Sequence, residues 1–111
     1  MFARMTVFRG SPDQVEEGAR VYRDQVIPWL RDATGFRGWV VLLDRENEKA
    51  IGLTFWATEQ AALDGESSGG VLRDEVAASV GATLESLELY EVHAVESLQL
   101  DEAGQSGPGL S

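Results

Sequence analysis

Residues 38–62, GWVVLLDRENEKAIGLTFWATEQAA, carry the pattern that decides the fold. The apolar runs Phe36–Asp44 and Ala50–Ala57 flank a polar turn, Arg45–Lys49, as two hydrogen-bonded strands flank a hairpin loop. Directly after Trp56 the character changes. Thr58 is a helix N-cap residue, and the residues that follow suit a helix rather than a strand.

Upstream, Phe2–Arg9 alternates as a strand, with Ala3, Met5 and Val7 on one face and Phe2, Arg4, Thr6 and Phe8 on the other. Ser11, Pro12 and Gln14 form a helix start, and Val15, Ala19, Tyr22, Val26 and Leu30 follow at helical spacing. Pro28 predicts a kink, or an early end with a short last turn through Trp29 to Ala33, and Gly35 closes the segment. Downstream, GESSGG at 65–70 predicts a break in the second helix, read as a flexible lip beside a cavity, with the helix resuming at Val71 and ending at Gly81. Thr83–Val95 reads as the fourth strand. From Glu96 the chain turns rich in glycine and serine, so the expected organisation is one domain over 1–95 and a flexible tail over 96–111.

The order βαββαβ predicts an α+β, ferredoxin-like domain: a four-stranded antiparallel sheet with two helices on one face. Such a sheet should alternate apolar and polar residues. Here Val40, Val41, Leu42 and Leu43 are apolar on both faces, as are Ile51, Leu53 and Phe55 against Trp56, and Leu87 and Leu89 against Tyr90 and Val92. The helices cover one face. The simplest cover for the other is the same face of a second copy, so a homodimer is expected. Ten such side chains left in water would forgo on the order of 1.5 kcal/mol each, comparable in sum to a small domain's stability.

Composition narrows the function classes. Nineteen acidic against nine basic residues, a formal net charge of −10, oppose nucleic acid and anionic membranes as partners. Nucleic-acid binding through the open sheet is disfavoured further by the apolar character of that sheet. With no cysteine there is no disulfide framework, thiolate metal site or cysteine nucleophile. No apolar run approaches the roughly 20 residues of a membrane span, and the first ten residues alternate where a signal peptide needs an unbroken apolar core. A cytoplasmic protein is the expectation.

Several residues are candidates for chemistry. Trp56 shares its strand face with the small Gly52 and Thr54, which leaves space beside the indole, so it lines a pocket or fills core. His93, the only histidine, has the pKa of a general base, against a plainer place in the core or an interface; alone it cannot form a metal site. Tyr22 lies on the buried helix stripe, with its hydroxyl either satisfied in the core or reaching a cavity. Arg73 either meets an anionic ligand or pairs with Asp74 or Glu75 at the surface. Trp29 and Trp39 default to core or interface. Ser67 and Ser68 have no histidine at triad spacing, and the 65–70 segment lacks the context of a phosphate-binding loop.

Gly35, Phe36 and Gly38 at the entry to the second strand, Trp56 followed by Thr58, and Tyr90–Val92 together resemble the antibiotic biosynthesis monooxygenase family over residues 2–95. The resemblance implies a dimeric α+β barrel in which each subunit keeps its own cavity. The family includes cofactor-independent oxygenases of aromatic polyketides and haem-degrading enzymes. The haem-degrading set of asparagine, tryptophan and histidine is met only by Trp56, since Ala3 stands where asparagine is expected and no histidine lies between Thr58 and Val80. The polyketide set is met by Trp56, with Tyr22, Tyr90 and Arg73 as companions, while the only asparagine, Asn47, sits in the hairpin loop. The functional expectation is a dimer that binds a small apolar or aromatic molecule and oxygenates it without cofactor or metal, or binds it without turnover.

Overall fold

The computed structural model describes residues 1–96. Strand β1 (Phe2–Arg9) leads into helix α1 (Pro12–Val21), a π-helical turn (Tyr22–Val26) and the short helix α2 (Ile27–Leu30). The hairpin strands β2 (Phe36–Asp44) and β3 (Lys49–Trp56) follow, then helix α3 (Glu59–Val80) and strand β4 (Thr83–Glu91). The sheet runs β2-β3-β1-β4 and every neighbouring pair is antiparallel. This is the expected ferredoxin-like arrangement. The tail expected over 96–111 lies, beyond Glu96, outside the described residues.

Local chemistry sets the helix starts. The backbone N–H of Gln14 donates to Ser11 Oγ at 3.2 Å while the Ser11 N–H donates to Gln14 Oε1 at 2.8 Å, a closed capping box. Thr58 caps α3 by accepting the Ala61 N–H at 3.1 Å. Gly81, at φ +79°, ends that helix in the left-handed region. The kink expected at Pro28 takes the form of the π turn just before it, where the Ile27 N–H reaches back five residues to the Tyr22 carbonyl. The wider turn gives the proline ring room against the carbonyl four residues earlier.

The break expected at 65–70 does not occur: α3 is continuous through Gly65, Gly69 and Gly70, all buried. These glycines are close-approach positions. A Cβ on Gly65 would fall 2.6 Å from Trp56 Cζ2, so only glycine lets the helix rest on the indole. Ser67 and Ser68 donate to the carbonyls of Leu63 and Asp64 at 3.2 and 3.1 Å, which keeps them within the helix instead of turning the chain out of it.

Register assigns the two sheet faces. Arg4 pairs with Thr54 and Thr6 with Gly52, while Trp39 pairs with Thr54 and Val41 with Gly52; these face the helices. Met5 pairs with Leu53, Val7 with Ile51, Val40 with Leu53 and Leu42 with Ile51, and they form the opposite, apolar face. Among the described residues no helix lies on that face, and Leu42 is 49% exposed. The core, Val26, Ile27, Leu30, Trp56, Ala61 and Ala62, sits between sheet and helices.

Gly65→Ala is expected to destabilise the fold by about 1–2 kcal/mol, because overpacking against Trp56 outweighs the gain in helix propensity. Urea denaturation followed by tryptophan fluorescence measures it. Equal or greater stability would show that α3 does not rest on the indole.

Candidate functional site

The helix-facing side of the sheet does not pack solid. Gly52 is small because a Cβ there would lie 2.9 Å from Thr6 Oγ1, and the inward face of α3 is built from Ala62, Gly65, Gly69, Gly70 and Ala77. Large strand residues opposite small helix residues would fill the layer; small opposite small leaves a cavity of about 80 Å³. Apolar walls come from Phe8, Val15, Leu30, Trp39, Val41 and Val76, among others. The polar groups are few: Arg4, Thr6, Tyr22, Thr54, Glu66 and Arg73. An apolar hollow with a small convergent polar set is the usual form of a small-molecule site.

Trp56 lies at one wall, only 3% exposed. Its orientation is fixed on three sides: the indole Nε1–H donates to Thr54 Oγ1 at 2.9 Å, the Phe36 ring meets it edge-on at 5.4 Å, and Gly65 lies against its outer edge. Core and pocket prove to be the same place for this residue. Gly52 and Thr54 line the cavity beside it.

Tyr22 enters from the start of the π turn and stacks at a tilt on Trp39, 5.5 Å between centroids. Burial pushes its hydroxyl up to about 12, with the Arg73 charge opposing and the Glu66 charge adding to the shift. It is therefore a neutral hydrogen-bond donor at ordinary pH rather than a base.

Arg73 is the largest departure from the surface reading. It is 7% exposed and its guanidinium donates to both Glu66 oxygens, Nη1 to Oε1 at 2.7 Å and Nη2 to Oε2 at 2.9 Å, while Nε reaches Asp74 at 3.1 Å. Burial works against its charge, but the bonds and charges of Glu66 and then Asp74 prevail and hold it above its ordinary value. Across the cavity Arg4 stands on β1 with its Nε 3.7 Å from Glu66 Oε1. That Nε is buried and has no hydrogen-bond partner among the described residues.

Two expected site residues are not brought to this cavity. Tyr90 pairs with Ala3, which places it on the opposite sheet face, 51% exposed, with its hydroxyl donating to Glu88. His93 lies past the end of β4 and is exposed. Among the lining residues that went unread as site residues are Arg4, Glu66 and Trp39. Arg4 shares a strand face with Phe2, Thr6 and Phe8, and a charged side chain on an otherwise uncharged face was the available signal. Glu66 was hidden by the expected break in α3, and Trp39 by its default as core. Trp29, by contrast, is 44% exposed.

Haem does not fit this donor set. Its iron needs an axial ligand; the only histidine stands outside the cavity, and a space of about 80 Å³ is far smaller than a porphyrin. Among the described residues no group of three histidine or acidic side chains could hold a metal ion. No described helix is long and apolar enough to cross a membrane.

No family model matches the chain. Two curated relatives, uncharacterized proteins of two Mycobacterium tuberculosis strains, are 27% identical over 95 residues. The match covers 86% of this chain and 42% of theirs, so the chain spans about two-fifths of the length of these relatives. Among solved structures, an antibiotic biosynthesis monooxygenase-type protein of Deinococcus radiodurans superposes with TM-score 0.66 at 14% identity, covering 88% of this chain and 98% of its own. The monooxygenase ActVA-Orf6 of Streptomyces coelicolor, in complex with nanaomycin D, gives 0.66 at 16% identity over 86% and 91%. SnoaB, a cofactor-independent oxygenase of Streptomyces nogalater, gives 0.60 at 18% identity over 85% and 94%. The chain has the fold of the antibiotic biosynthesis monooxygenase proteins.

The Tyr22 shift has a consequence for stability. Because the folded phenol keeps its proton up to about 12 and an unfolded one releases it near 10, stability falls as pH rises through this window. In urea titrations the stability of the wild type relative to Tyr22→Phe is expected to decline between pH 9 and 11.5. A constant difference would mean that the hydroxyl is not desolvated.

Proposed function

We propose that this chain is a homodimeric small-molecule-binding protein of the antibiotic biosynthesis monooxygenase type, which oxygenates an electron-rich aromatic or phenolic substrate without a cofactor. The observation that carries the reading is the convergence of Trp56, Tyr22 and Arg73 on one largely apolar cavity beneath the helices. Similarity to oxygenases of the same fold supports it.

In this mechanism the substrate ring lies against Trp56, and a phenolic oxygen receives hydrogen bonds from Tyr22 and the Arg73 guanidinium. Both favour the phenolate, since one donates without charge and the other carries a fixed positive charge in a poorly solvated site. A phenolate conjugated to a methylene carbon supplies all the electrons needed. The carbon takes one atom of dioxygen as C=O, and the other leaves with the two methylene hydrogens as water. Substrate and dioxygen balance without an added reductant.

One observation favours the second reading, binding without turnover. Glu66, the only carboxylate lining the cavity among the described residues, has both oxygens bonded to Arg73 and lies close to Arg4, so no carboxylate there stands free of an arginine to receive a substrate proton. The homodimer is supported by the uncovered apolar face of Met5, Val7, Val40, Leu42, Ile51 and Leu53.

Oxygen uptake with a panel of phenols and quinols, compared under aerobic and anaerobic conditions, separates the readings. Turnover is expected, and Trp56→Phe should lower it at least about tenfold through loss of indole positioning. Tight binding with no oxygen consumed would leave the non-catalytic reading. For assembly, sedimentation at micromolar concentration should give the mass of two chains, with Leu42→Asp shifting it toward one. A folded wild-type monomer would sink the dimer.

A further inference from the structure

The cavity holds a second guanidinium, that of Arg4, which the oxygenation reading does not use. Its side chain is only 12% exposed, its Nε makes no hydrogen bond among the described residues, and its nearest counter-charge, Glu66 Oε1, is 3.7 Å away. Glu66 cannot serve both arginines well, because both its oxygens already accept from Arg73 at 2.7 and 2.9 Å. Thr6 and Thr54, the neighbours of Arg4 on the inner sheet face, carry no charge. Arg73 has a second carboxylate in Asp74, at 3.1 Å outside the cavity, whereas Arg4 has only its share of Glu66, so among the described residues it is the Arg4 guanidinium that faces the cavity short of a hydrogen-bond acceptor.

A buried guanidinium whose Nε has no acceptor among the described residues and whose counter-charge is shared is unfavourable on its own. A ligand oxygen carrying negative charge supplies the missing acceptor. Guanidinium geometry favours a planar, two-oxygen acceptor, and at about 80 Å³ the hollow is smaller than the roughly 150 Å³ that encloses a benzene ring, so it takes at most one ring and leaves a second at its open mouth. We propose that Arg4 anchors a carboxylate on the ligand, so that the compounds this site takes are one- or two-ring aromatic carboxylates. The inference rests on the aromatic-pocket reading and specifies its substrate class. Glu66 is then an internal competitor: it holds Arg73 in place and lowers the affinity of Arg4 for an incoming anion.

The test compares 2-naphthoate with its neutral isostere 2-naphthamide by calorimetric titration, with quenching of tryptophan fluorescence as a second readout. In the wild type, naphthoate is expected to bind at least about tenfold more tightly than naphthamide, the size of a desolvated charge-assisted hydrogen bond. Arg4→Gln should remove that preference while leaving naphthamide within about threefold. Glu66→Gln should change affinity in the opposite sense, tightening naphthoate alone, and it provides the answer if Arg4→Gln fails to fold. Equal binding of the two compounds, or a preference that survives Arg4→Gln or is unmoved by Glu66→Gln, overturns the carboxylate anchor and leaves the aromatic pocket standing. Binding of neither compound overturns both.

Discussion

Everything in the interior depends on how closely α3 approaches the end of β3. Gly65 rests on the Trp56 indole where even a methyl group would collide. That single contact fixes the height of the helix above the sheet. Nearer the C-terminus of α3, Gly69 and Gly70 keep the helix surface flat beside Leu30 and the Glu66–Arg73 pair. Glycine within a helix costs about 1 kcal/mol against alanine, so three of them in one helix are a sizeable local penalty, offset by the packing their absence of side chains permits. The cavity is the remainder: indole and helix meet at one end, while between Gly52 and the small face of α3 they do not.

The polar arrangement follows from the same geometry. Arg73 and Glu66 lie seven residues apart, two turns along one helix face, so that the carboxylate and guanidinium meet two-pronged beside the hollow. A buried pair of this kind adds little to stability compared with apolar residues of equal volume, because desolvation consumes most of the attraction; removing one partner is what costs heavily. In the site proposed above its effect is therefore on specificity: the pair fixes the positions of charged groups in a largely apolar space, and Arg4 adds a guanidinium whose Nε has no acceptor among the described residues.

Much of this was legible in the residues. Alternation and the polar turn at 45–49 gave the hairpin, Ser11–Gln14 and Thr58 gave the helix starts, and the pairing of Gly52 and Thr54 with Trp56 marked the strand face that borders the cavity. What escaped were features that exist only in three dimensions. GESSGG reads as a breaker because glycine propensity is local, whereas here tertiary contact with Trp56 overrides it. Losing the helix at 65–70 hid Glu66 and left Arg73 with only its sequence neighbours as partners. Tyr90 alternates with Leu89, which pairs with Arg4 on the cavity side, so it lies on the outer face; with apolar residues on both faces of β4, nothing local marked which face was inner.

The two faces of β3 tie the proposed assembly to the proposed site. Gly52, Thr54 and Trp56 point to the cavity and Ile51, Leu53 and Phe55 to the opposite side, along a strand hydrogen-bonded to both β1 and β2. A strand cannot flex toward one face without moving the other. A partner packed on the outer face would therefore hold the cavity floor as well, stiffening the wall against which Trp56 and Thr54 are set. In a separated chain that floor has α1 and α3 on one side and water on the other, and the small residues that keep the hollow open offer little resistance to collapse. On this view the apolar outer face does more than drive association: it is what allows so small a domain to keep an unfilled space in its core.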